Sequence, residues 1–190
     1  MRIYLIRHGE TEYNRRRLFY GKSDISLNET GIEQANWLAE KFKEGKIDAV
    51  IYTSSLRRTI ETAKLIFPNQ PIISLEDLDE KDFGLWEGMS ADQINTEYPV
   101  EWEKWLLSPF EYTPKNAEKF SVFQNRVLSC FNDLLQKKED FVLVGHLGVL
   151  RTILKTYFSE LNFWEIDLEQ GNYTVMESEN SRFKIIKWNS

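Results

Sequence analysis

Short apolar runs alternate along this chain with stretches of helical periodicity. "RIYLI" (2–6) is a β-branched-rich run of the kind that forms a buried strand, and "DAVIYTS" (48–54), "PIISL" (71–75) and "DFVLVGH" (140–146) repeat the signal. "NETGIEQANWLAEKFKEG" places Ile32, Ala35, Leu38, Ala39 and Phe42 at helical spacing, with Thr30 and Glu33 as a capping-box pair and Gly45 as a stop. "LRRTIETAKLIF" predicts a helix that Pro68 ends, a long helix starts near Glu118, and "GVLRTILKTYF" predicts another after the last parallel-type run. The closing "NYTVMESENSRFKIIKW" reads as two strands around a polar turn, an edge hairpin. Strands alternating with helices predict an α/β fold, a three-layer α/β/α sandwich on a mainly parallel central sheet.

The stretch from about 80 to 120 breaks this rhythm. Trp86, Trp102, Trp105, Phe110 and Tyr112 stand there among acidic residues, which predicts a small helical and loop insertion, or lid, over the sheet edge where a site would open. With 190 residues, the chain is expected to be one domain, 1–190, carrying that insertion.

Composition narrows the function. A net charge of −6 does not mark the whole surface as a nucleic-acid or membrane binder, so any bound anion must meet a local cluster of positive charge. The single Cys130 excludes an internal disulfide and fits a reducing compartment. The first strand begins at residue 2, which leaves no room for a signal peptide, and no apolar run reaches the roughly 18 residues of a membrane span. A cytoplasmic location is the expectation.

The candidate chemistry starts from the two histidines, His8 and His146. Each sits just past an apolar run with a glycine close behind, Gly9 and Gly148. In a parallel sheet the carboxyl ends of the strands face one crevice, so neighbouring runs would open both imidazoles into it. One histidine at a strand end is equally well a structural polar group; two at equivalent places, with Arg7 beside one, point to a site. Arg57 and Arg58 follow "YTSSL" at a helix N-terminus, where the macrodipole disfavours cations unless an anion binds there. One of the pair is expected to be a solvated surface residue. Arg7, Arg58, the histidines and nearby backbone N–H groups together compose a pocket for a phosphate dianion.

Other chemistries find less support. Cys130 is followed by "FNDLLQ", without the arginine cradle of a cysteine-dependent phosphatase, and it belongs with the helical apolar set Phe120, Phe123, Val127 and Phe131. There is no Walker-type glycine loop, HExxH or paired-cysteine spacing. Two histidines with scattered carboxylates remain able to hold a metal, but an adjacent arginine opposes a cation, and no metal is expected. A neutral imidazole attacks phosphorus when its other nitrogen donates to a fixed acceptor. The phosphoryl in flight then needs positive charge and N–H donors, and the leaving alkoxide needs a proton from an acid.

"LIRHGETEYN" resembles the signature of the histidine phosphatase superfamily, which includes the cofactor-dependent phosphoglycerate mutases. The likeness continues over nearly the whole chain in "GKSDISLNETGIEQA", "SSLRRTIETA", "LDEKDFGLWEG" and "VGHLGVLR". The resemblance implies a metal-independent phosphohistidine enzyme without a cofactor, with His8 as nucleophile and Arg7, Arg58 and His146 around the phosphate. It further implies Asn14 and Gly21 as phosphate contacts, Glu80 as the proton donor and the backbone N–H of Leu147 as another phosphate donor. Within "SSLRR" the spacing to "TA" selects Arg58 over Arg57. Two positions depart from the pattern: Ser26 stands where proline is common, and Leu147 where glycine is usual, narrowing the approach to the pocket.

The mutases of this family carry longer chains that help shield the phosphohistidine. This chain ends soon after its terminal hairpin, so hydrolysis of a phosphomonoester is the expected outcome. "PKNAEKFSVFQNRV" and "NFWEIDLEQGNYTVMES" look like α-ribazole phosphatases, which dephosphorylate α-ribazole 5'-phosphate during cobalamin nucleotide-loop assembly. Trp86, Trp102 and Trp105 would then wall the base, or else form the insertion's own small core. The alternatives are a broad-specificity sugar or glycerate phosphatase, a phosphoglycerate mutase, and a non-catalytic phospho-ligand module. The presence of His8, Arg7, Arg58, Glu80 and His146 counts against the last. A small phosphomonoester is the expected partner, with neither nucleic acid nor membrane, and the oligomeric state is not readable.

Overall fold

A computed structural model describes residues 1–45, 47, 49–179 and 182–190. Its strands are β1 (Arg2–Arg7), β2 (Val50–Thr53), β3 (Ile72–Ser74), β4 (Phe141–Gly145), β5 (Tyr173–Glu179) and β6 (Arg182–Lys187). Its helices are α1 (Glu12–Arg15), α2 (Glu29–Gly45), α3 (Arg57–Ile66), α4 (Ala91–Glu97), α5 (Pro99–Leu107), α6 (Phe120–Gln136) and α7 (Leu147–Tyr157). The strands form one sheet in the order β3-β2-β4-β1-β5-β6, in which β3, β2, β4 and β1 are parallel neighbours. β5 runs antiparallel to β1, and β6 antiparallel to β5, as the outer hairpin. The turn expected inside that hairpin falls partly on residues 180 and 181, and the second apolar run begins at 48; these lie outside the described residues.

Alternation along the strands decides what covers each face. Ile3, Leu5, Tyr52, Phe141 and Leu143 point to the side packed by α6 and α7, through Phe123, Val127, Phe131, Val149, Leu150 and Ile153. Ile6, Ile51, Val142 and Val144 point to the other side, where Ala35, Leu38 and Phe42 of α2 meet Ala63 and Ile66 of α3. The result is the three-layer α/β/α sandwich. β4 is buried at every position, which is why its sequence is a continuous apolar run without alternation. Each fully buried Leu or Ile in these layers contributes about 2 kcal/mol of transfer free energy. No helix among the described residues is long and apolar enough to cross a membrane.

Local differences from the sequence pattern have physical reasons. α2 is capped by Asn28, not by the Thr30–Glu33 pair: Asn28 Oδ1 accepts from Gly31 N–H at 2.9 Å while its amide donates to Glu10 Oε1 at 2.8 Å. The cap is thus tied to the turn after β1, a tertiary partner that a local pattern does not reveal. Gly31 presses directly on that turn, and a Cβ there would lie 2.1 Å from Glu10 O. One residue on, Ile32 turns outward and is 42% exposed, whereas the rest of the expected stripe is buried.

Between β3 and α6 the chain makes two short 3₁₀ turns (Glu76–Leu78 and Gly84–Trp86), then α4 and α5. The tryptophans there form a small aromatic core of their own. Trp86 is buried, Trp102 stacks on Trp105 at 5.2 Å, and the edge of Phe19 meets all three.

Gly31→Ala should destabilise the fold by about 2 kcal/mol or more, because the methyl group has only backbone to push against. Urea unfolding measures this, and a loss below about 0.5 kcal/mol would mean that the turn after β1 yields freely.

Candidate active site

The strand order brings together the ends of β2, β4 and β1. Arg7 pairs in register with Gly145, so His8 and His146 each lie one residue beyond, on adjacent parallel strands. Their ring centroids are 5.3 Å apart. Next to them β2 ends at Thr53, and Ser54 leads into α3, whose first turn carries Arg58. The site therefore occupies the carboxyl edge of the sheet.

His8 is buried, and its Nδ1 lies 2.7 Å from Gly9 O. A carbonyl accepts only, so Nδ1 carries the proton and Nε2 keeps its lone pair. Thr62 of α3 fixes this turn: its Oγ1 accepts from Gly9 N–H at 3.0 Å and donates to Arg58 O at 2.7 Å. His146 takes the opposite tautomer. Its Nδ1 accepts from Arg58 Nε at 3.2 Å, which leaves Nε2–H to donate to Ser54 Oγ at 2.8 Å.

Arg58 is 0% exposed, and no carboxylate forms an ion pair with it among the described residues. Its Nη1 donates to Ser23 O at 2.8 Å and Nη2 to Gly21 O at 2.7 Å, while the guanidinium lies 4.7 Å over the Tyr20 ring. Arg57, by contrast, is exposed and pairs with Glu61 at 3.5 Å. Arg7 donates from Nη1 to Leu168 O at 3.1 Å, and its buried Nε has no partner. Burial draws both guanidinium pKa values below their ordinary range; Tyr20 and Glu80 oppose this at both.

Glu80 faces these cations from the loop after β3. Its Oε2 accepts from Gly148 N–H at 2.9 Å and its Oε1 from Lys81 N–H at 3.0 Å. The absence of a side chain at Gly148 makes room for the carboxylate, since a Cβ would lie 2.4 Å from Oε1. Arg126 of α6 holds the Glu80 loop from behind. It donates to Asp77 O at 2.9 Å, Asp79 O at 2.7 Å and Glu80 O at 3.3 Å, and pairs with Glu118 at 2.8 Å.

A cleft of about 320 Å³ joins the parts; Arg7, His8, Asn14, Arg58, Glu80 and Leu147 all line it. Asn14 Oδ1 accepts from Thr11 N–H, Tyr20 OH and Gln170 Nε2 at 3.1, 2.8 and 3.0 Å, so its amide nitrogen is the group left for a ligand. The rest of the lining is Arg17, Leu18, Phe19, Tyr20 and Phe83.

Two of the sequence-derived positions stand one layer back. His146 has both ring nitrogens engaged inside the protein and braces Arg58. Gly21 also has both backbone groups engaged, N–H to Glu87 Oε1 at 2.8 Å and carbonyl to Arg58. The tryptophans lie behind Phe19, not in the cleft wall.

Ser54, Arg126, Gln170 and Glu87 escaped the sequence reading because each looks like an ordinary polar residue until its partner is seen. Elsewhere, an open groove of about 1220 Å³ at the amino ends of the strands is lined by Phe42, Phe67 and Ile73 and contains no histidine. Burial pushes the Cys130 thiol up to about 11, which makes it a poor nucleophile. Among the described residues no three His, Cys, Asp or Glu side chains cluster as metal ligands.

Burial, reinforced by the charges of Arg58 and Arg7, holds His8 well below its ordinary 6.5. Burial followed by Arg58 and His8 does the same to His146. Below about pH 6.5 the unfolded chain therefore takes up protons that the folded chain refuses, and stability falls with pH. The slope should approach about 1.4 kcal/mol per pH unit for each histidine and lose up to one proton's share in His8→Asn. Urea unfolding at several pH values between 7 and 5 reads it; an unchanged slope in the variant would mean that His8 charges inside the fold.

Residues 3–190 match the profile of the Histidine phosphatase superfamily (branch 1). The chain is 29% identical to "Phosphoserine phosphatase 1" of Hydrogenobacter thermophilus over 195 residues, covering 100% of this chain and 92% of that one. It is also 29% identical to "Adenosylcobalamin/alpha-ribazole phosphatase" of Salmonella typhimurium over 187 residues, 93% of this chain and 90% of the other. The crystal structure of the alpha-ribazole phosphatase from Shigella flexneri superposes with a TM-score of 0.93 at 27% identity, covering 100% of this chain and 96% of that one.

Proposed function

The chain belongs to the histidine phosphatase superfamily and is a phosphatase, and from that premise we propose that it hydrolyses a phosphomonoester through a phosphohistidine on His8. The observation that carries the reading is the fixed tautomer of His8: Nδ1–H is held by Gly9 O, and the free Nε2 sits in a cleft lined by two arginines. In this mechanism Nε2 attacks phosphorus as the ester oxygen departs. Arg7, Arg58, the Asn14 amide and the Leu147 N–H receive the equatorial oxygens, whose charge grows in flight. Glu80 acts in its protonated form, giving its proton to the leaving alkoxide. It then takes one from the water that attacks the phosphohistidine, releasing inorganic phosphate and restoring Nε2. His146 serves by fixing Arg58.

For the substrate, the reading is α-ribazole 5'-phosphate. Phe19 and Phe83 meet edge to face at 5.4 Å and line the cleft beside Leu18, Tyr20 and Leu147, an apolar wall suited to a flat heteroaromatic base. The relatives from Salmonella and Shigella support it. A second reading, phosphoserine or a glycerate phosphate, is favoured by Arg17, an exposed cation in the same lining that could meet a substrate carboxylate.

A panel of α-ribazole 5'-phosphate, phosphoserine and 3-phosphoglycerate compared by kcat/KM decides between them. A preference of about tenfold or more for the first is expected, and the reverse preference would establish the second reading. His8→Ala should abolish turnover while circular dichroism at pH 7.5 still finds the variant folded, and alkaline quench of the parent should trap phosphate on His8. Activity equal to the parent's would end the mechanism. Glu80→Gln should slow substrates with poor leaving groups by about 10²-fold while sparing p-nitrophenyl phosphate, whose leaving group needs little protonation. Equal losses on both would remove Glu80 from the acid role.

A further inference from the structure

We infer that Glu87, which does not line the cleft, is a positioning residue for the reaction: its carboxylate sets the backbone carbonyls that hold Arg58 and the loop that carries Glu80. The inference rests on the catalytic reading above and assigns the element that keeps its central cation in place.

Glu87 closes the 3₁₀ turn Gly84–Trp86, where positive φ at Gly84 (57°) and Gly88 (79°) folds the segment back on itself. Its Oε1 accepts from Gly21 N–H at 2.8 Å, Lys22 N–H at 3.2 Å and Phe83 N–H at 3.0 Å. Its Oε2 accepts from Ser23 N–H at 3.0 Å and from the Ser23 hydroxyl. Five donors saturate a group with about four lone-pair sites. Three of them are consecutive backbone N–H groups converging on one anion, an arrangement that fixes the conformation of residues 21–23.

The other side of the same loop faces Arg58. Gly21 O and Ser23 O accept its two terminal nitrogens, at 2.7 and 2.8 Å. The peptide unit between Gly21 and Lys22 therefore lies with its carbonyl on the guanidinium and its N–H on the Glu87 carboxylate. Its dipole is aligned between the two charges, which never touch. Gly21 also lies against the Glu80 loop, where a Cβ would come 1.6 Å from Lys81 O. One carboxylate thus holds both walls, the loop under Arg58 through residues 21–23 and the Glu80 loop through Phe83.

A residue that merely supports the fold would lower activity whether or not Arg58 is present; a residue acting through Arg58 would not. The test compares the full-length parent, Glu87→Gln, Arg58→Ala and the double variant, by p-nitrophenyl phosphate turnover and by inhibition with orthovanadate. Glu87→Gln is expected to lower kcat/KM by about tenfold or more, mostly in kcat, and to weaken vanadate inhibition in parallel. In the Arg58→Ala background the same change should cost less than about twofold.

An equal loss in both backgrounds, or no loss in the parent, overturns the inference while leaving the phosphatase reading intact. A parent that neither turns over nor is inhibited by vanadate overturns that reading and this inference with it. If circular dichroism finds Glu87→Gln unfolded, Ser23→Ala takes its place by removing one donor. It should produce a loss of about threefold that disappears without Arg58, and persistence of the loss there overturns the inference.

Discussion

A guanidinium sealed from water without a carboxylate beside it is the constraint around which this structure is organised. Removing such a charge from water costs several kcal/mol unless its N–H groups are all met. At Arg58 three of the five N–H groups are met by dipoles, two backbone carbonyls and one imidazole nitrogen, and not by a counter-ion, and two remain for a ligand. A carboxylate would satisfy the same donors and cancel the charge. Dipoles satisfy them and leave the charge available to an incoming phosphate, which is electrostatic preorganisation in its simplest form. Burial first, and the charge of Arg58 second, holds both histidines well below their ordinary range.

Much of the layered fold was legible because burial writes itself into periodicity. The unbroken apolar run of β4 and the stripes on α2 and α3 are consequences of having neighbours on defined faces. The pairing of His8 with His146 was legible for a related reason: a strand end followed by glycine is a recognisable place on a parallel sheet. What escaped was whatever depends on a partner distant in sequence. The cap on α2 comes from Asn28 because Glu10 holds it, whereas Thr30 and Glu33 made the better local pattern. Glu87 and Arg126 have no local signature, because each acts through five hydrogen bonds, most of them to loops that no spacing rule connects, and Ser54 is distinguished only by its bond to His146, 92 residues away. His146 and Gly21 were found in the right neighbourhood but one layer behind the cleft, a distinction that depends on where individual lone pairs point.

The aromatic residues divide the same way. Trp86, Trp102 and Trp105 were conspicuous in the sequence, yet the geometry uses them to support Phe19, which reaches the cleft. Leu147 and Arg17 also line the cleft. The cleft wall is thus drawn from the segment after α1, the loop after β3 and the start of α7, with the tryptophans behind it.

The position of β1 in the sheet has a consequence for how the site is assembled. The strand that leads to His8 has β4 and β5 as its two neighbours, and Arg2 bonds to a residue 138 positions later. Until β4 is in place His8 has no strand to lie beside, and until the segment at Leu168 docks Arg7 has no carbonyl there to reach. Contacts this distant in sequence slow the search for the native state. The surroundings of His8 and Arg7 are therefore completed only when segments more than 130 residues away have docked, which couples the geometry of the site to the closing of the whole sheet.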